Sequence, residues 1–266
     1  MSEGLRNFGG SIPDFYERGM APVMFAPTAE VTAARAVELA PRRVLETAAG
    51  TGQVTRLLAS RLPAGTAIIA TDLAPAMLTL AAGHLPAGAA VEMQQADAQA
   101  LPFPDASFDL VVCQFGVMFF PDRAAGLREA ARVLRPGGRF LFTTWDGREA
   151  NPYARVAAEL VVETVGEPGV FGLAYGMTSL DEIRALAGGA GFAGCRAEVV
   201  RLDAPVPDVT LFAAGLLLGN PTAILLRERG VASEALVPEL ERRLRPVLGE
   251  PATARLQMLM IEAGKP

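Results

Sequence analysis

With 266 residues, 51% of them apolar, the chain is long enough for one large α/β domain carrying an insertion or a small lid. A net charge of −5, with no arginine cluster forming a stripe, argues against a nucleic-acid backbone or an anionic membrane as partner. Two cysteines, Cys113 and Cys195, are too few for a disulfide framework or a cysteine metal site. The opening MSEGLRNFGG has no apolar signal core, so a cytoplasmic protein with no metal is expected.

Residues before about 28 precede any strand pattern and are rich in Phe, Tyr, Met and Pro, with Phe8, Phe15, Tyr16 and Phe25 as an aromatic cluster. From about residue 43, strands alternate with helical patterns. RRVLE is the first strand, and residues 53–62 form a helix closed by Pro63. TAIIATD is the second strand, and Pro75 opens a helix running to about Gly83. VEMQQAD and FDLVVCQF follow as the third and fourth strands. Residues 122–134 form a helix stopped by Arg135-Pro136-Gly137-Gly138, and RFLFTTW is the fifth strand. This rhythm calls for a parallel sheet with helices on both faces.

After Trp145 the rhythm pauses. Asn151-Pro152 reads as a helix start, with Ala154, Ala157, Ala158, Val161, Val162 and Val165 on one apolar stripe. Ser179 with Glu182 resembles a capping box for a helix ending at Gly188-Gly189; Thr178 with Asp181 is the alternative. CRAEVVRLD is a sixth strand and ARLQMLMIEAG a seventh, separated by a largely helical stretch over 207–249. The uncharged run 209–226 is interrupted by Asn220-Pro221 and two glycines. It reads as a buried helix pair rather than a membrane span. The chain therefore divides into an N-terminal lid segment 1–28, a Rossmann-like domain 29–206 with 250–266, and a helical lid insertion 207–249.

The stretch VLETAAGTGQVTRLLA carries the chemistry. A strand ending in a glycine turn before a helix exposes backbone N–H groups and lets a ligand lie against the chain. Ligands of open parallel sheets bind at the carboxyl ends of the strands. Glu46, just before the turn, repels an anion and attracts an ammonium or other cation. Asp72 ends the second strand, twenty residues after Gly52, a spacing that suits a carboxylate accepting both ribose hydroxyls. Asp97 ends the third strand, placed to accept from an exocyclic amine, with small Ala98 behind it. Such strand ends describe a nucleoside with a cationic or zwitterionic tail. His84, the only histidine, lies at the end of the second helix, away from the strand carboxyl ends.

The stretches LETAAGTGQ, ATDLAPAML, ADAQALPF, FDLVVCQFGVMFFPD and EAARVLRPGGRF resemble, in order and spacing, the class I S-adenosylmethionine-dependent methyltransferases. Within them they are similar to the small-molecule branch related to ubiquinone and menaquinone methyltransferases; together they cover about residues 40–145. The resemblance implies a doubly wound seven-stranded sheet of order 3-2-1-4-5-7-6 with strand 7 antiparallel, and S-adenosyl-L-methionine as cofactor. By it, Glu46, Ala48, Gly50 and Gly52 border the methionine moiety, and Asp72 with neighbouring Leu73 holds the ribose. Met77 and Ala98 pack on the adenine, Asp97 meets its amine, and Gln114 and Phe115 face the methyl group. Tyr16 and Phe25 are further contacts, because this segment often closes over the cofactor in the family. Ala48 departs from the usual glycine.

The implied reaction is an SN2 methyl transfer in which orientation does most of the work, and no catalytic residue is assigned. Tyr153, Tyr175 and Asp146 are alternatives if a base is needed. Segments 1–28, 146–178 and 207–249, with Phe171, Leu173, Tyr175, Met177, Phe212, Leu216 and Leu217, suit a small apolar or aromatic acceptor. Two rivals stand beside this reading. One is a nicotinamide-dependent oxidoreductase, weakened by Thr55 where its fingerprint wants Gly or Ala. The other is a binding module that keeps the cofactor without turnover.

Overall fold

The computed structural model describes residues 12–266, so Phe8 and the rest of 1–11 lie outside the described residues. The strands are β1 (Arg43–Glu46), β2 (Ala67–Asp72), β3 (Val91–Gln95), β4 (Phe108–Gln114), β5 (Leu134–Trp145), β6 (Ala193–Pro205) and β7 (Thr253–Gly264). They form one sheet in the order β3-β2-β1-β4-β5-β7-β6, with β7 antiparallel to β5, the topology the family resemblance implies. β1, at the centre of its parallel neighbours, is buried at Val44, Leu45 and Glu46. Strands covered on both faces take a continuous apolar run, and the acid at the end is the exception to it.

The helices are α1 (Ile12–Phe15), α2 (Ala26–Glu38), α3 (Gln53–Arg61), α4 (Pro75–Gly83), α5 (Arg123–Val133), α6 (Pro152–Val165), α7 (Val170–Ala174), α8 (Leu180–Gly189), α9 (Val209–Leu218), α10 (Thr222–Glu228) and α11 (Ser233–Leu248), with a π-helical segment Tyr16–Phe25 after α1. The chain separates into two compact units. The sheet unit holds 29–145, 177–200 and 258–266; the helical unit holds the described part of 1–28, 146–176 and 201–257.

In the sheet unit, α2 and α3 cover one face. Ala29, Ala33 and Ala36 recur on one side of α2 and pack with Val44, Val54, Leu58, Ile68, Leu110, Val112 and Leu141. Alanine side chains let that helix approach the sheet closely, but they give only a weak apolar stripe, which is why the sequence pattern shows no helix there. β5 also begins earlier than RFLFTTW. Phe108 pairs with Leu134 and Leu110 with Arg139, so Arg135–Gly138 form a bulge rather than a stop. The end of the chain holds this bulge: Gly137 N–H donates to the Lys265 carbonyl and Lys265 N–H to the Gly138 carbonyl, both at 2.9 Å.

In the helical unit, the π-helical segment packs on α9 at Gly19 and Gly215. A Cβ on Gly19 would come within 2.5 Å of the Leu211 carbonyl oxygen, so nothing larger than glycine fits that crossing. The uncharged run forms the expected helix pair, α9 and α10, bent by 66°, with α9 buried at Val209 and along 212–218. Among the described residues no single helix is long and apolar enough to cross a membrane. Of the two capping alternatives, Ser179 caps α8, accepting from Glu182 N–H at 3.3 Å. Asn151 precedes α6, as expected, but its side chain does not cap it. Its amide donates to the carbonyls of Asp146, Gly147 and Gln257, and its Oδ1 accepts from Gln257 N–H, tying the start of α6 to residues 146–147 and to β7.

Candidate cofactor site

The parallel register brings the carboxyl ends of β1, β2 and β4 together: Glu46 pairs with Ala70 and with Val112. Beyond Glu46 the chain turns sharply. Thr47 N–H donates to the Val112 carbonyl and Ala49 N–H to the Thr71 carbonyl, both at 2.9 Å, so the turn is held by both neighbours of β1. Gly50 and Gly52 adopt φ of 56° and 79°, the left-handed region that favours glycine. Gly52 also faces α4, where an added Cβ would lie 2.9 Å from the Ala81 methyl.

Ala48 sits in the same turn with φ 53°, a conformation that costs an ordinary L-residue roughly 1–2 kcal/mol. Phe115, just beyond β4, has φ 54°. Four non-glycine residues have a left-handed φ among the described residues; Ala40 and Ala106 lie before β1 and β4, and Ala48 and Phe115 lie at strand carboxyl ends. The two turns also approach each other: a Cβ on Gly116 would come within 2.6 Å of the Ala48 methyl. Phe115 is fixed by its N–H donating to the Thr143 carbonyl at 3.1 Å and by stacking on Trp145, centroids 4.0 Å apart and planes 8° from parallel.

At this rim Glu46 is buried and Asp72 half-buried, and among the described residues neither forms an ion pair. Glu46 is 2% exposed, and its Oε2 accepts from Thr55 Oγ1 at 2.7 Å. Burial, with the Asp72 charge adding to it, pushes the Glu46 carboxyl up to about 8, so in this form it holds a proton at neutral pH. Asp72 accepts from Gly50 N–H at 2.8 Å on one oxygen and from Ala74 N–H at 2.9 Å on the other. Burial raises this carboxyl too, against the pull of those N–H groups. Each carboxylate oxygen has two acceptor positions, so Asp72 keeps capacity for further donors while shaping the turns on both sides of itself. Leu73 beside it is one of three large apolar side chains left exposed among the described residues.

The other expected site residues sit as follows. Met77 is buried in the first turn of α4. Asp97, half-buried like Ala98, is engaged by its own neighbour: its Oδ1 accepts from Gln99 N–H at 2.9 Å and from the Gln99 side-chain amide at 3.1 Å. Gln114 Oε1 accepts from Thr32 Oγ1 of α2 at 2.7 Å. Tyr16 and Phe25 belong to the helical unit, where their rings stack 4.7 Å apart. Tyr153 and Tyr175, also of that unit, share a buried hydroxyl–hydroxyl hydrogen bond at 3.0 Å, and burial pushes both phenols well above their ordinary range.

His84 requires a correction. The sequence reading puts it away from the strand ends, yet its Nδ1 lies 3.2 Å from the Thr51 carbonyl oxygen, inside the glycine turn. Because α4 packs against that turn at Gly52, the end of the helix returns to the site. Thr55, which in the sequence stands out only as a mismatch to the nicotinamide fingerprint, donates its hydroxyl to Glu46. Its position nine residues after the acid, on the buried side of α3, is the signal that points to it. Among the described residues no group of three His, Cys, Asp or Glu side chains is arranged to hold a metal ion.

Comparison with known proteins agrees with this geometry. Residues 45–142 match the family described as Methyltransferase domain. The demethylmenaquinone methyltransferase of Thermus thermophilus is 45% identical over 107 residues, 40% of this chain and 48% of that protein. The ubiquinone/menaquinone biosynthesis C-methyltransferase UbiE of Geobacter sulfurreducens is 35% identical over 117 residues, 43% of this chain and 46% of that protein. The matched region thus spans about half the length of these curated relatives. Among solved structures, a Thermotoga maritima protein described as an S-adenosylmethionine-dependent methyltransferase, possible histamine N-methyltransferase, superposes with TM-score 0.59 at 19% identity, covering 100% of both chains; at that identity it shows the fold alone. Residues 45–142 are therefore a class I S-adenosylmethionine-dependent methyltransferase domain resembling the quinone-methylating branch, and the nicotinamide alternative is not favoured.

Proposed function

We propose that the whole chain is a methyltransferase that binds S-adenosylmethionine at the β1–β2–β4 rim and moves its methyl group to a small apolar or aromatic acceptor. The observation that carries this reading is the pair of acids, buried Glu46 and half-buried Asp72, joined through the glycine turn by the Gly50 N–H to Asp72 bond and, among the described residues, paired with no cationic side chain. A phosphate-bearing ligand would meet two acidic groups there, one of them protonated at neutral pH. A nucleoside with a cationic tail meets acceptors for its hydroxyls and its ammonium group.

In this reading Asp72 accepts from the ribose hydroxyls, with Leu73 exposed beside them. Glu46, Ala48, Gly50 and Gly52 border the methionine end, Met77 and Ala98 line the adenine, and Asp97 meets its amine. Gln114 and Phe115 face the methyl group, and Tyr16 and Phe25 are further cofactor contacts. The cofactor when bound supplies a methyl on a sulfonium, an electrophile by itself. The chain's residues then orient the acceptor behind that methyl and exclude water, and alignment contributes about 7–11 kcal/mol of barrier reduction. No general base is assigned. The apolar side chains Phe171, Phe212, Leu216 and Leu217 suit a small aromatic or quinol-like acceptor. The charge and the two cysteines support a cytoplasmic setting without nucleic-acid or membrane partners.

The test is a labelled-methyl assay over a panel of phenols, amines and quinols, run beside calorimetric titration of S-adenosylmethionine and S-adenosylhomocysteine. Transfer to any acceptor is the expected result. Binding without transfer would favour the non-catalytic module, and no binding of either nucleoside would remove the reading.

A further inference from the structure

We propose that Thr55 is a positioning residue for Glu46, and that its hydroxyl sets the pH at which the rim accepts a cationic cofactor. The inference rests on the cofactor reading above and adds to it a proton that leaves the site on binding.

Glu46 sits where three elements converge, and the groups facing it are few. From α3 comes the Thr55 hydroxyl, itself fully buried, donating at 2.7 Å. From the end of β2 comes the Asp72 carboxyl, and from β4 the Cys113 thiol, which burial pushes up to about 11 and so keeps neutral. The Thr47 hydroxyl lies between these strands, on the Val112 carbonyl at 3.5 Å. Among the described residues no arginine, lysine or histidine forms an ion pair with Glu46 or Asp72. The one histidine near the turn bonds the Thr51 carbonyl instead. A buried carboxyl facing a second carboxyl, with only the hydroxyl and the backbone N–H of Thr55 opposing the burial, holds its proton far above the ordinary carboxylate range, here to about 8.

Thr55 is the side-chain donor that opposes this. Its hydrogen bond favours the ionised form and fixes which carboxyl oxygen stays turned toward α3. The sign follows. A cationic ligand prefers the carboxylate, so below about pH 8 binding must expel the Glu46 proton, which passes to buffer. Affinity therefore rises with pH by up to about tenfold per unit and levels off above the point where Glu46 ionises in the free protein. Threonine serves here because its hydroxyl reaches the acid while its methyl fills the buried space. Valine would keep the shape and lose the donor.

Isothermal titration of the full chain with S-adenosylmethionine, between pH 6 and 9 and in pairs of buffers with different ionisation heats, reads both quantities. The expected result for the native protein is release of close to one proton near neutral pH, declining to none at pH 9. Thr55→Val should move the levelling point upward and weaken binding at pH 7 by about tenfold, and Thr55→Ser should restore both. Native binding without proton release overturns the proposal even if Thr55→Val fails to fold. So does a Thr55→Val variant that binds with an unshifted pH profile. Absence of heat at every pH, by contrast, overturns the cofactor reading itself.

Discussion

Glu46 in the sheet unit and Glu239 in the helical unit are the same side chain under opposite pressures. Glu46 is buried, faces another acid and rises to about 8. Glu239, on α11, is 36% exposed and accepts from Arg242 at 2.7 Å and from Arg243 at 2.7 Å, bonds that pull its carboxyl down to about 2. Arg243 continues the network to Glu163 of α6 at 2.8 Å. The helical unit pairs Glu239 and Glu163 with its own arginines, at the surface, as a fold does when charge has only to stay solvated. The sheet unit buries Glu46 and half-buries Asp72 at its rim, and supplies them with a hydroxyl and backbone N–H groups. A carboxylate kept in low dielectric without a cation is costly to folding and useful to a ligand that brings the cation with it.

The contrast can be broken most sharply at Asp72. Asp72→Ala removes an acceptor for two hydroxyls, each charge-assisted bond worth about 1.5–3 kcal/mol. Affinity for S-adenosylhomocysteine should fall at least about a hundredfold by calorimetry, and undiminished binding would mean that the rim's acids serve the fold alone. A smaller effect per pH unit is expected on stability at Glu46. The unfolded chain loses this proton near the ordinary 4.5 and the folded chain near 8. The folded state therefore binds the proton more tightly, and its stabilisation is complete below 4.5 and lost as pH rises through 8. In that window the cofactor-free protein should lose up to about 1.4 kcal/mol per pH unit through this group. Glu46→Gln, which cannot titrate, should flatten that part of the slope in urea melts at pH 5 to 8; parallel slopes would show that Glu46 is already ionised. The smallest effect belongs to Glu239→Gln. Its thermal midpoint should shift least of the three and converge with the native value in high salt, where exposed pairs are screened. A salt-insensitive loss there would erase the difference between the units.

Much of the rim was legible because it is local. The strand–turn–helix of VLETAAGTGQ, Pro75 at the first position of α4 and the acid at the end of β2 each follow from short-range rules of backbone conformation and burial. Others were hidden for equally physical reasons. α2 announces itself only by alanines that matter once a sheet lies against them. His84 reaches the glycine turn because α4 folds back onto it at Gly52. The strain at Phe115 and its stacking on Trp145 depend on β5 lying beside β4.

By itself, the order of residues determined which strands and turns form, where the acids fall along the chain, and, through its motif resemblance, the order of the sheet. Those are matters of periodicity, glycine φ and side-chain type within a few residues. What only the tertiary structure decided is the state of the acids. Whether a carboxyl is ionised depends on the dielectric and the donors around it, and Asp72, Cys113 and Thr55 reach Glu46 only after three elements have packed together.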